Sequence, residues 1–444
     1  MNNNNKTNAN RVRVVAPVSV SSATPQAVYD IPFSSIIRAW IVCERNKRSS
    51  NSCTKFRWHA CRDLKLLWEQ ICQGKYEPNA SMVFMVTYPV LREVWAAAFR
   101  DRVMHHWEAL RFGPILEDFF LEAGDASMNC RKGYGPLRAV RTVGKMIYDF
   151  TEGYTRQDCL IVGGDFANFF MSIDKDILWV ALQQLVGEQY SGSDKAALMY
   201  AMSKTLYHRP QDKYFRKSSE KLWNGLPARK SLFHMNGLAI GNLPSQLWAN
   251  LMGAIFTMWI MQVKGYANFV IFVDDFRVLV RSREEGRKLI EDIREYLAEQ
   301  LHITLHPDKV YLQHYTKGTK MVGAVIKPNR SYIANRTRGR FISAMRKFKA
   351  MCEATDELRC EAMLEKLRAT INSYLGLMSH YSSYKLRRRI CEEYILPTWS
   401  QYIYFADGFS KCIIKSRYNK LYMLRRKLRN HNFAVKFLRP GRSE

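Results

Sequence analysis

Residues 266–280 read YANFVIFVDDFRVLV, two apolar runs interrupted by a pair of adjacent carboxylates, Asp274 and Asp275. An ionised carboxylate is costly to bury unless something positive meets it, so the pair must sit where the apolar runs leave the core. A hairpin meets that demand, with each run a strand and the acids at the turn. CLIVGGDFANFF, residues 159–170, is a second apolar strand that ends on an acid, Asp165. Brought together, two such strand ends suit Mg²⁺, which binds through one or two carboxylates plus substrate phosphates. Paired ions of this kind serve in-line displacement at phosphorus. The residues alone leave a second reading open, in which Asp165 marks a turn and the acid pair an ordinary hairpin.

The remaining pattern predicts strands set irregularly among helices. Apolar spacing predicts helices within 31–75 (Trp40, Cys43; Leu64, Leu67, Trp68, Ile71) and within 91–123, and SMVFMVTYPVLREVWAA (81–97) reads as two strands turning near Pro89. A helix is expected to start near Ser172 or Asp174, and the chain from about 340 onward to be helical, with no glycine between Gly339 and Gly376. The segment from Ser231 to Val263 carries no Asp, Glu, Lys or Arg, but Asn236, Asn242, Pro244, Ser245, Gln246 and Asn250 interrupt it. A helix buried on most sides is expected there, not a membrane span. These elements indicate an α+β core followed by a basic helical module.

Composition narrows the partner. The 444 residues carry 68 Lys and Arg against 40 Asp and Glu, a formal charge of +28, with 47% hydrophobic and 13% aromatic residues. So apolar a chain is not disordered, and so large a positive field points to a polyanion. Residues 411–444 concentrate eleven basic residues against Glu444 alone, interleaved with Tyr418, Tyr422, Phe433 and Phe437, a mixture suited to stacking and phosphate contact. The ten cysteines form no CxxC pair, so zinc-ribbon and thioredoxin-like readings fail, and the loose group Cys53, His59 and Cys61 favours buried thiols over a metal site. A reducing, cytoplasmic setting is expected. Residues 1–30, Asn-rich and then Ser- and Pro-bearing, read as a mobile polar tail, poor as a secretion signal.

With order and context added, the chain resembles the reverse transcriptases over roughly residues 85–330. GGDFANFFMSID (163–174) resembles their first palm motif, GLAIGNLPSQLWAN (237–250) the second, and FVDD (272–275) the aromatic-x-Asp-Asp box. LREVWAAAFRDRVMHH resembles a fingers segment, LHITLHPDKV the fourth motif and TKGTKMVGAVI the strand pair that grips the primer. Within the family, CRKGYG (130–135), LPARKSLF (226–233) and IGNLPSQ (240–246) resemble the enzymes of diversity-generating retroelements, where an aliphatic residue replaces the usual Gln before GxxxSQ. Phe272 stands where Tyr is more usual, Pro244 where Thr is common, and Pro89-Val90 lacks the Lys that often precedes Arg92.

The resemblance implies a right-hand polymerase with fingers and palm over 31–335, a helical thumb over 336–410 and a basic C-terminal extension over 411–444. It implies two Mg²⁺ held by Asp165, Asp274, Asp275 and the backbone carbonyl of Phe166. Arg92 and the main chain near Asn168 and Phe169 would hold the triphosphate, Phe170 would gate the sugar, and Ile240, Gly241, Gln246 and Lys309 would line the nucleotide site. Gly323 would be the primer-grip glycine. His105 and His106 are expected to pack beneath the fingers, and Arg100-Asp101-Arg102 to form a structural ion-pair cluster. The implied activity copies a template-repeat RNA into adenine-mutated cDNA, with dNTPs, the cDNA/RNA hybrid and a basic accessory protein as partners and no membrane. The alternatives are another bacterial reverse transcriptase (retron, phage-defence or group II intron type) or a catalytically inactive nucleic-acid-binding protein.

Overall fold

The computed structural model describes residues 29–45, 47–88, 90–354, 357–416 and 418. The chain divides into two compact units, one ending at Tyr315 and the other starting at Thr316, ahead of the boundary at 335 read from the sequence. The class is α+β with largely antiparallel sheets, as expected.

The first unit contains β1 (Ser81–Val86), β2 (Arg92–Ala96), β3 (Leu160–Asp165), β4 (Tyr214–Arg216), β5 (Phe269–Phe272), β6 (Asp275–Val280) and β7 (Tyr311–His314). A small sheet runs in the order β2-β1-β4, the expected antiparallel β1–β2 hairpin with β4 added in parallel. The larger sheet, β5-β6-β3-β7, is antiparallel throughout. Its strands β3 and β6 are buried along nearly their whole length, which explains why they read as apolar runs, broken in β6 by the buried Arg277, and not as alternating ones.

The two glycines of β3 have a packing cause. Gly163 stands opposite Tyr311 and Gly164 opposite Phe276, and a Cβ on either would collide with the facing ring. Glycine in a strand interior costs backbone entropy, offset here by the close approach of two large rings. Beneath the sheet, helix Leu243–Met258 is buried around most of its surface and continues through a π turn at Trp259–Val263, so the part of the long uncharged segment from Leu243 onward is an interior helix and 231–242 is a loop before it. Among the described residues no helix is long and apolar enough to cross a membrane. Helix Lys175–Gln189 starts where expected, with the Asp174 carboxylate accepting from the Asp176 and Ile177 amides.

The second unit opens with an antiparallel meander of β8 (Thr319–Met321), β9 (Ala324–Lys327) and β10 (Arg330–Ile333). Helices Asn335–Glu353, Glu357–Ser379 and Tyr384–Ile390 follow. The all-helical expectation is then corrected: β11 (Ile403–Ala406) and β12 (Lys411–Ile414) form a hairpin across the four-residue turn 407–410, in which Asp407, Gly408 and Phe409 have positive φ. Asp-Gly is a hairpin turn signal, but strands this short carry little pattern of their own. Asn372 pins the hairpin to its helix, accepting from the Cys412 amide at 2.7 Å and donating to the Cys412 carbonyl at 3.0 Å.

The ring-over-glycine packing has a measurable consequence. Gly164→Ala forces the Phe276 ring to shift and should destabilise the first unit by about 1–3 kcal/mol, the usual cost of overpacking. Urea unfolding monitored by tryptophan fluorescence reads the loss, and an unchanged midpoint would remove this account of the glycine pair.

Candidate active site

The register of the larger sheet decides which carboxylates meet. Asp165, the last residue of β3, is paired with Asp275, the first of β6, and the Phe166 amide donates to the Asp274 carbonyl at 3.0 Å. All four expected metal-binding positions are therefore joined through one backbone ladder. Burial, and then the neighbouring Asp165, push the Asp274 carboxyl up to about 7. Asp275 is raised by burial too, against the pull of Arg277.

Two cations answer this negative charge. Arg277, buried in β6, donates from Nη1 to Asp275 Oδ1 at 2.5 Å, and Lys309 Nζ donates to Asp165 Oδ1 at 2.6 Å. Lys309, expected along the nucleotide site, is thus placed on the first carboxylate. Among the described residues, no three His, Cys, Asp or Glu side chains are grouped so as to hold a metal ion. Cys53, His59 and Cys61 are not so grouped either, Cys53 being buried and Cys61 exposed. The donor chemistry of the three aspartates still fits a hard divalent cation: all are carboxylates at adjoining strand ends, and Asp274 has burial and a like charge but no ion pair of its own among the described residues.

Around the carboxylates, the nucleotide-site candidates come from three segments held together by main chain. Asn168 takes a left-handed conformation (φ 50°), turning the chain so that Phe169 enters the core and Phe170 stays half-buried, edge-on to it. The Leu238 amide donates to the Phe170 carbonyl at 2.6 Å, and a Cβ on Gly237 would strike the Phe170–Met171 backbone. On the other side of this loop, the Trp95 amide donates to the Ile240 carbonyl at 2.7 Å. Gly241 (φ 117°) lies so close to the Trp95 carbonyl that only glycine fits. Phe170, Ile240 and Gly241 are thereby brought together with β2, whose first residue is Arg92. Gln246 is exposed on the first turn of helix Leu243–Met258. In the second unit, Gly323 (φ 82°) completes the β8–β9 turn and its carbonyl accepts from the Ala334 amide at 2.9 Å.

Sequence reasoning missed Glu93. It is fully buried, and its carboxylate accepts from Ser231 Oγ (2.7 Å), the Leu232 amide (2.5 Å) and Trp95 Nε1 (3.0 Å), clamping the 231–242 loop to β2. Its signal was available: in the strand alternation Glu93 shares the inward face of Trp95, where a carboxylate needs partners. His105 does pack inside, with burial lowering its pKa to about 3, and Asp101 does anchor a buried network with Arg100, Tyr76 and the Asn79 amide. Tyr422, Phe433 and Phe437 lie outside the described residues.

No protein-family model matches this chain, and no curated protein matches it in sequence. Among solved structures, telomerase from Candida albicans in complex with the TWJ fragment of telomeric RNA is similar at 10% identity over 74% of this chain and 63% of that one, TM-score 0.42. Apo telomerase from Candida tropicalis is similar at 9% identity over 72% and 60%, TM-score 0.42. Its form truncated from the C-terminal domain gives 9%, 56% and 53%, TM-score 0.41. This chain thus spans less than two thirds of each of those chains, and likeness at this level assigns it no activity.

The Glu93 clamp is open to test by proteolysis. Glu93→Ala leaves the Leu232 amide and the Trp95 indole without their acceptor, each costing about 1–3 kcal/mol. Tryptic cleavage after Arg229 and Lys230 should accelerate about tenfold or more under native conditions, and an unchanged rate would mean that the loop is held by its glycine contacts alone.

Proposed function

We propose that this chain is an RNA-templated DNA polymerase of the reverse transcriptase type, with the larger sheet of the first unit as its palm. The observation that carries the reading is the pairing of Asp165 with Asp275 across β3 and β6, which puts the acids of two separate palm-like motifs on one sheet end. Asp165, Asp274, Asp275 and the Phe166 carbonyl would hold two Mg²⁺, which supply charge stabilisation and an acidified 3′ hydroxyl when bound. Lys309 and Arg277 hold Asp165 and Asp275 in place, and Arg92 with the main chain at Asn168 and Phe169 receives the triphosphate. Phe170 excludes a 2′ hydroxyl from beneath the sugar, and Gly323 shapes the turn that grips the primer.

Template contact is supported by charge and by aromatic exposure. Every residue of β4 is exposed, Phe215 at 65%, and Arg216 lies 4.4 Å over the Trp223 ring, with Lys213, Lys217, Arg229 and Lys230 nearby in sequence. Stacking surfaces interleaved with cations suit a single-stranded template. The finer reading is a diversity-generating enzyme that copies a template-repeat RNA with errors at adenine, in the cytoplasm and with a basic accessory protein. Its support is Ile240, Gly241 and Gln246 in the GLAIGNLPSQ segment together with CRKGYG.

Three substitutions test these roles. Asp274→Asn or Asp275→Asn should lower Mg²⁺-dependent dNTP incorporation on a primed RNA by several orders of magnitude with the circular dichroism spectrum retained; near-normal activity in both would overturn the reading. Phe170→Ala should raise ribonucleotide use relative to deoxyribonucleotide use, and unchanged sugar selectivity would return Phe170 to the core.

Ile240→Gln restores one neutral hydrogen-bonding group beside the nascent base pair, worth about 0.5–1.5 kcal/mol, or roughly two- to tenfold in discrimination. Sequencing of cDNA made by both enzymes from one RNA should show fewer errors at template adenines in the variant. Accurate wild-type cDNA would remove the diversity-generating reading and leave the polymerase.

A further inference from the structure

We propose that two buried amides, Asn129 and Asn250, are positioning residues that hold the Val273–Asp274 turn, and with it the two acids that follow Val273, in its working conformation. The inference rests on the reading of that turn as catalytic. Val273, the residue immediately before the acids, has φ 62°, in the left-handed region. A β-branched residue is disfavoured there because its Cβ substituents crowd the following carbonyl, so the surrounding structure must hold it. The Val273 amide donates to Asn129 Oδ1 at 2.8 Å.

Asn129 is held in turn. Its Nδ2 donates to Asn250 Oδ1, and Asn250 Nδ2 donates back to the Asn129 carbonyl at 3.2 Å. The two residues are 4% and 5% exposed. Val273 brings only a donor, so Asn129 must present oxygen to it and nitrogen to Asn250, which fixes both amide orientations. Asn250 comes from helix Leu243–Met258 and Asn129 from the irregular segment before CRKGYG, so the pair ties the turn to two separate parts of the unit.

The segment that carries Asn129 is itself docked on β5. The Ile271 amide donates to the Ala126 carbonyl at 3.0 Å, and the Met128 amide to the Ile271 carbonyl at 2.9 Å. Arg131 anchors the far end: it forks onto Glu117, pairs with Asp125, donates to the Ser127 carbonyl at 2.9 Å and lies 3.8 Å over the Tyr134 ring. The direction in which Asp274 and Asp275 leave the turn follows from the conformation of Val273, and Asn129 is the side chain that holds it.

Glycine at 273 adopts positive φ without strain, so it separates positioning from general packing. Asn129→Ala should lower kcat for incorporation about tenfold or more with KM for dNTP changed less than about threefold, and should speed hydrogen exchange in a peptide covering 269–276. In a Val273→Gly background the same substitution should cost less than about threefold. Asn250→Ala gives a weaker version of the same phenotype, and remains available if Asn129→Ala fails to fold. Equal losses in both backgrounds, or unchanged exchange of the hairpin, would overturn the proposal. Absence of Mg²⁺-dependent incorporation by the wild-type chain would instead count against the polymerase reading, and hydrogen exchange would still judge the clamp.

Discussion

The pairing of β3 with β6 concentrates negative charge at one end of a buried sheet, and much of the surrounding structure answers that charge. Carboxylates at facing strand ends repel one another and lose hydration. Arg277 meets one from within the same strand, and Lys309 meets another from 144 residues away in sequence. Asp274, between burial and Asp165, keeps the raised proton affinity that such a place imposes. This is a poor arrangement for stability, and one whose repulsion a hard divalent cation would relieve. Local strain and unbalanced charge collect where function does.

The carboxylates were legible in the sequence because the pattern they interrupt is strong. An acid at the end of an unbroken apolar run must be explained, and Asp165, Asp274 and Asp275 each end or divide such a run. The buried helix beneath them was legible for the same reason, its polar interruptions being too many for a membrane span. The β1–β2 hairpin and the Asp174 helix start followed from turn and capping chemistry.

What surrounds the carboxylates was less legible. Asn129 is a polar residue in an irregular polar segment, and its contact with Val273 crosses 144 residues with no local periodicity to announce it. Lys309 reads as a solvated lysine until the sheet brings β7 beside β3. Glu93 carried a usable signal, since alternation placed it on an inward face, but its partners lie in a loop far along the chain. The β11–β12 hairpin was hidden because each of its strands has four residues and so little periodicity of its own, and helices precede it.

Besides the Glu93 clamp, the loop that carries Ile240 is held through main chain: Gly237 against the Phe170 backbone, Gly241 against Trp95, and amide–carbonyl bonds from Leu238 to Phe170 and from Trp95 to Ile240. A pocket wall built from backbone keeps its shape when the side chain mounted on it changes. The main chain at position 240 is therefore held independently of the side chain it carries. The glycines on either side of it, by contrast, are confined to one residue type.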